Sequence, residues 1–224
     1  MRKLFFTFLL ALLVSMAALA QEPYAVLSED NSVLMFYYDD QKAARNGMDV
    51  GPFNYSWDDN RQRGIISSGW DEQRESITCV VFDNSFAKCT TITSTAFWFF
   101  GFDNLSSIAC ISNLKTDNVT DMSGMFAGCS GLRKLDVTGF KTDNVANMSY
   151  MFFGCSDLKT IYAGDGWSTA KVGNGKDIFN DCKRLVGGAG TRYHKNSIDY
   201  NYARIDGGTA NPGYFTMKKG NTDK

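Results

Sequence analysis

The amino-acid sequence predicts an α/β repeat fold: a short solenoid with a parallel β-sheet and short helices, closed by an N-terminal β-hairpin cap and a C-terminal β cap. Three observations predict it. Lys115-Thr116-Asp117-Asn118-Val119 returns 26 residues later as Lys141-Thr142-Asp143-Asn144-Val145. Each copy then runs through a Met-Phe pair, a Gly-Cys pair and spaced aliphatic residues, and altered copies flank the two clear ones. A period of about 20 to 29 residues is that of leucine-rich-repeat solenoids, in which one coil cannot bury its apolar face without a neighbour.

The frame is Phe, x, x, Cys, x, x, Leu, x, x, Leu, x, Val. Phe126, Cys129, Leu132, Leu135 and Val137 fill it, as do Phe152, Cys155, Leu158, Ile161 and Ala163. Phe99, Phe102, Leu105, Ile108 and Cys110 keep the spacing upstream; Phe179, Cys182 and Leu185 keep it downstream until Gly188 and Gly190. Ile77, Val80 and Phe82 retain only the strand half. Anchored on Ile77, Leu105, Leu132, Leu158 and Leu185, the steps are 28, 27, 26 and 27 residues. The chain thus divides into a signal peptide at 1–20, a β-rich cap at 21–75, a leucine-rich-repeat-like solenoid of about four to five coils at 76–190, and a C-terminal cap and tail at 191–224.

Within a coil, Leu135 and Val137 share the inward face of a short strand, so Lys134, Asp136 and Thr138 point outward. Met122, Met125, Phe126 and Cys129 recur at spacings of three and four, which predicts a short helix over 118–129 with an inward apolar stripe. The Thr-Asp-Asn at the start of each clear copy is turn or cap chemistry. Ahead of the array, Tyr24 to Leu27 and Val33 to Tyr38 read as a hairpin around Ser28-Glu29-Asp30-Asn31. That hairpin, with Trp57 and Trp70, is expected to cover the first sheet edge. Tyr200 to Phe215 is expected to close the other end, and 218–224 to fray.

Arg2 and Lys3, the apolar run from Leu4 to Met16, and Ala18-Leu19-Ala20 before Gln21 form a basic start, a hydrophobic segment and a small-x-small cleavage site, as in a secretory signal peptide. The run is shorter than the roughly 20 residues of a spanning helix. No Cys directly follows it, so no lipid anchor is expected, nor any stable membrane insertion after cleavage. Losing the leader takes the formal charge from −1 to −3, a balance without a footprint for nucleic acid. Export implies a compartment in which disulfides persist. Cys129, Cys155 and Cys182 recur once per coil, however, and are expected to be buried free thiols. Cys79 with Cys89 is the most plausible bridge if one forms.

The phrase at 118–132, repeated at 144–158, resembles the BspA-like leucine-rich-repeat surface proteins of bacteria. The tail from Tyr202 to Phe215 and the early Phe36-Tyr37-Tyr38-Asp39-Asp40 are similar to segments that many members carry. The resemblance implies a secreted or surface-exposed protein, adhesin-like in some members, and brings no enzymatic activity. Catalytic motifs are thin: one His, His194, in a polar run; no Cys-x-x-Cys for zinc; no Gly-x-Ser-x-Gly elbow; and Gly173-Asn174-Gly175-Lys176 as a partial echo of a phosphate loop. The aromatic group Phe97-Trp98-Phe99-Phe100-Phe102 could stack on sugars, although its frame position assigns most of it to the core.

The expected function is therefore non-catalytic, without cofactor or metal: binding of an extracellular protein or glycan through the outward strand row of Lys134, Asp136, Thr138, Thr160 and Tyr162, with Tyr162 as the anchor. The expected location is exported, in the periplasm, at the cell surface or secreted. The alternative is a secreted carbohydrate-active hydrolase using a pair of carboxylates such as Asp39-Asp40 or Asp58-Asp59.

Overall fold

A computed structural model describes residues 20–61 and 63–218. The expected signal peptide, apart from Ala20, and the expected fraying tail beyond Lys218 lie outside the described residues. The N-terminal hairpin forms as its alternation predicts: β1 (Glu22–Leu27) pairs antiparallel with β2 (Val33–Asp39), and Asn31 takes the left-handed backbone of the turn at φ 58°. Two short strands follow, β3 (Met48–Asp49) on the free side of β1 and β4 (Tyr55–Asp58), which pairs with β5 (Arg63–Ile66) as a separate hairpin. β2 then pairs in parallel with β6 (Cys79–Phe82), and β6 with β7 (Ser107–Ala109), giving the five-stranded order β3-β1-β2-β6-β7. A second sheet of three parallel strands has the order β10-β9-β8, from β8 (Lys134–Val137), β9 (Thr160–Ala163) and β10 (Phe215–Met217).

The expected α/β solenoid with short helices is not what forms. The described residues contain no α-helix, only short 3-10 turns, and the strands fall into three small sheets instead of one continuous parallel sheet. The segment expected as a helix at 118–129 shows why. Its amides at Met122, Gly124, Phe126 and Gly128 donate to the carbonyls of Asn147, Ser149, Met151 and Phe153 in the next copy. Those of Met125, Ala127 and Cys129 donate three residues back. With alternate N–H groups committed between copies, the i to i−4 ladder of an α-helix has too few donors. Gly124 and Gly128, both at positive φ, break the helical path further. A series of i to i−3 turns still leaves Met122, Met125, Phe126 and Cys129 on one buried side, so the spacing of apolar residues alone does not separate it from a helix.

The same alternation links the copies at 95–101 to 121–127 and those at 148–154 to 174–180. The chain also forms parallel bridges from Ser94 to Asp121, Asn147 and Asn174 in succession. Arg133, Lys159 and Val186, each following a frame leucine, are joined by consecutive backbone bonds. Inside, Phe99, Phe126, Phe152 and Phe179 are neighbours at ring separations of 5.5, 5.7 and 5.6 Å. The Thr-Asp-Asn segment does not cap a helix. Thr116 accepts from Lys141 N and donates to Lys141 O, while Thr142 accepts from Ser168 N at 2.6 Å and donates to Ser168 O at 2.7 Å.

All six cysteines are free thiols, Cys79 and Cys89 included. Cys129, Cys155 and Cys182 are fully buried and donate to the carbonyls of Phe99, Phe126 and Phe152. Of the two tryptophans assigned to the cap, Trp70 is buried and donates to Trp98 O, whereas Trp57 stands 55% exposed. No helix among the described residues is long and apolar enough to cross a membrane.

Candidate functional site on the strand face

The break between the two sheets shapes the candidate site. β7 ends at Ala109 because Cys110 turns left-handed, at φ 55°, and opens a 3-10 turn over Ile111–Asn113. β8 in the next copy runs on to Val137 and pairs with β9 instead. A hollow of about 450 Å³ opens between the two edges, lined by Ser106, Ser107, Ile108, Lys134, Asp136 and Tyr162 together with Lys218.

The structure brings four of the five expected residues onto one face. Lys134 lies opposite Thr160 and Asp136 opposite Tyr162, while Tyr162 is flanked on its other side by Thr216 of β10. Leu135, Val137, Ile161 and Ala163 alternate into the core. Thr138, just past β8, donates its N–H and its hydroxyl to Asp136 Oδ1 at 3.0 and 2.7 Å. It borders a neighbouring hollow of about 250 Å³ with Cys110, Ile111 and Phe140. Lys218 Nζ pairs with Asp136 Oδ2. Burial opposes ionisation of Asp136, but hydrogen bonds from Lys218 and Thr138 outweigh it and hold the carboxyl below its usual value. The bond to Asp136 in turn raises Lys218. Both groups are therefore charged at neutral pH, and the face carries an internally balanced ion pair beside an aromatic ring.

The remaining chemical candidates have structural partners. Asp39 accepts from the Tyr24 hydroxyl at 2.6 Å and from Arg45 at 3.0 Å, Asp40 accepts from the Gln41 side chain, and Asp58 accepts from the amides of Asn60 and Arg61. The amides of Gly173 and Asn174 in the partial phosphate-loop echo donate to Ala146 O. His194 is exposed in its turn, and its Nδ1 accepts from Asn196 N. Among the described residues no group of three or more His, Cys, Asp or Glu is placed to hold a metal.

Sequence reasoning missed a second feature. Trp98, Phe99 and Phe102 are core, but Phe97 and Phe100 line a groove of about 520 Å³ with Tyr55, Trp57, Tyr150 and Phe153. The signal lay in the phase of the repeat. Two residues before and one after each frame phenylalanine stand Phe97 and Phe100, then Gly124 and Ala127, then Tyr150 and Phe153, then Asp177 and Asn180. The first position of each pair has left-handed backbone, at φ 61°, 57°, 59° and 53°. Glycine occupies that region freely, whereas a bulky L-residue there costs roughly 1–2 kcal/mol. Phe97 and Tyr150 carry that cost, and both face the groove.

Residues 81–191 match a known family. Its description is "Mycoplasma protein of unknown function, DUF285", and the matched segment begins within β6 and takes in every clear copy of the repeat. No curated protein and no solved structure matches the chain.

Proposed function

We propose that this chain is an exported, non-catalytic binding protein that holds an extracellular protein or glycan against the strand face around Tyr162. The observation that carries the reading is the hollow between β7 and β8, where Lys134, Asp136 and Tyr162 meet. Tyr162 is held in the middle strand of its sheet, so its ring is presented with little conformational entropy left to lose on binding. Asp136 is already paired with Lys218, so a partner covering that pair strands neither of its two charges. The leader at 1–20 and the resemblance of 118–158 to BspA-like surface proteins support export and binding.

The test is a binding measurement with the mature chain against extracellular matrix proteins and surface glycans. Tyr162→Ala is expected to weaken any saturable interaction by roughly tenfold or more, in the range of an interface anchor, and Thr160→Ala to change it little. An identified partner whose affinity is the same for Tyr162→Ala removes the face from consideration. Fractionation of expressing cells tests export directly: accumulation of uncleaved chain in the cytoplasm contradicts it.

A further inference from the structure

β7 pairs only with β6 at the end of the first sheet, and β8 only with β9 at the end of the second. Both strands line the same hollow, β7 through Ser107 and Ile108 and β8 through Lys134, Leu135 and Asp136. The two copies touch on either side of it. Before the strands, Gly131 N–H donates to Asp103 O at 2.9 Å. After them, a Cβ on Gly139 would lie 3.5 Å from Ser112 Cα, and Thr116 and Lys141 exchange two hydrogen bonds. A second hollow of about 250 Å³ shares Ile108, Asp136 and Lys218 with the first, so the opening follows the strands toward Ser112 and Gly139. Ile108 registers the break: of the aliphatic frame residues from Leu105 to Ala163, it alone is not buried. The stack is therefore continuous on both sides of an interruption one short strand long.

A strand at the edge of a sheet presents a row of unpaired N–H and C=O groups. The ligand that repeats donors and acceptors at the same spacing is another extended polypeptide, and extended segments join open sheets on this basis. A glycan has no such repeat. The side chains along the hollow set the sequence of the segment. Ile108 and Leu135 offer it aliphatic surface, which suits an apolar side chain. Lys134 is exposed and has no ion-pair partner among the described residues, whereas Asp136 is held by Lys218. The uncompensated charge on the β8 edge is thus positive and is complemented by an acid. Successive side chains of a strand point to opposite faces, so one extended segment meets both demands by alternating apolar and acidic residues. We propose, on the basis of the strand-face reading, that the interval between β7 and β8 accepts such a segment of a partner protein, about as long as the four residues of β8, which pairs with the free edges and joins the two sheets.

Calorimetric titration of the mature chain with the end-blocked peptide Thr-Val-Glu-Val-Glu-Val-Thr tests the proposal. Saturable binding is expected. The same peptide with both glutamate nitrogens methylated keeps every side chain but loses two strand donors, and its affinity is expected to fall at least tenfold. Lys134→Glu, at an exposed position, is expected to weaken the acidic peptide by a similar factor and to favour the version with Lys in place of Glu. Absence of saturation overturns the proposal, as does equal affinity for the methylated peptide or an unchanged preference between the acidic and basic peptides in Lys134→Glu. Saturation by a hexasaccharide of N-acetylglucosamine but not by peptide overturns it in favour of a glycan. Tyr162→Ala separates this proposal from the reading it rests on. An identified partner that loses affinity in Tyr162→Ala while the peptide fails to bind keeps the strand face and overturns strand insertion. Peptide binding that is sensitive to methylation but unchanged in Tyr162→Ala supports insertion and removes Tyr162 as the anchor.

Discussion

Tyr150 illustrates how a single residue departs from what stability alone favours. Gly124 occupies the same position of the preceding copy at nearly the same φ, so the turn itself asks for no side chain. Tyr150→Gly relieves roughly 1–2 kcal/mol of left-handed strain and gives up only partly exposed contacts with Phe153 and Lys176. Urea unfolding is expected to place the variant within about 1 kcal/mol of the parent or above it. Asp206 is the opposite case. Burial opposes its ionisation, but bonds from the amides of Ala189, Thr191 and Gly208 and from the Thr191 hydroxyl hold its carboxyl below the ordinary value. Because the folded value is the lower one, the stabilisation is complete above the unfolded value of about 3.9 and disappears as pH falls through the folded value. Asp206→Asn should therefore lower stability at pH 7 and flatten the acid limb of the pH–stability curve; an unchanged acid limb would contradict this. Among the thiols, burial pushes Cys129, Cys155 and Cys182 up. Cys110 is exposed. A thiol reagent should label Cys110 in the native protein and those three only on unfolding.

At the scale of the element, the unit that recurs is a set of turns whose outer amides bond to the next copy. Thr142 has one hydroxyl serving both the amide and the carbonyl of Ser168. Thr142→Val keeps the shape and leaves both groups without that partner, and is expected to cost about 1–3 kcal/mol in chemical denaturation. Thr142→Ser, which retains the hydroxyl, should recover most of it. The 26-residue period, the inward frame, and the strands of the N-terminal hairpin and of the frame were legible in the sequence because alternation and spacing report which residues avoid water, whereas β3, β4 and β5 were not. The helix expected over 118–129 was misread because an apolar stripe at spacings of three and four does not say whether the amides between its members bond along the chain or across to a neighbour. Of the site, Lys134, Asp136, Thr160 and Tyr162 were legible from strand alternation. The aromatic groove was not, since two of its six aromatic residues come from β4 and the other four from copies that are not adjacent.

For the whole molecule, the parallel pairing of β2 with β6 joins the N-terminal hairpin to the repeats, and β10 covers the open edge of β9 at the other end. Removing residues 21–70 uncovers β6 and takes away Phe36, whose ring packs against Phe82, Phe86, Trp98 and Phe99. The truncated chain is expected to lose its cooperative melting transition and to aggregate through the exposed edge. A soluble truncation that melts sharply would show that the hairpin is dispensable to the core.

The repeat, its buried frame and the outward identity of the strand row are properties of the sequence itself, because each follows from which side chains can leave water at a fixed spacing. The division into three sheets, the exchange of helical bonds for bonds between copies, the contact between Lys218 and Asp136 and the meeting of Tyr55 with Phe97 were decided only by tertiary structure. Each depends on where a backbone donor or a ring finds its partner across a long separation in the chain, and local patterning does not encode that choice.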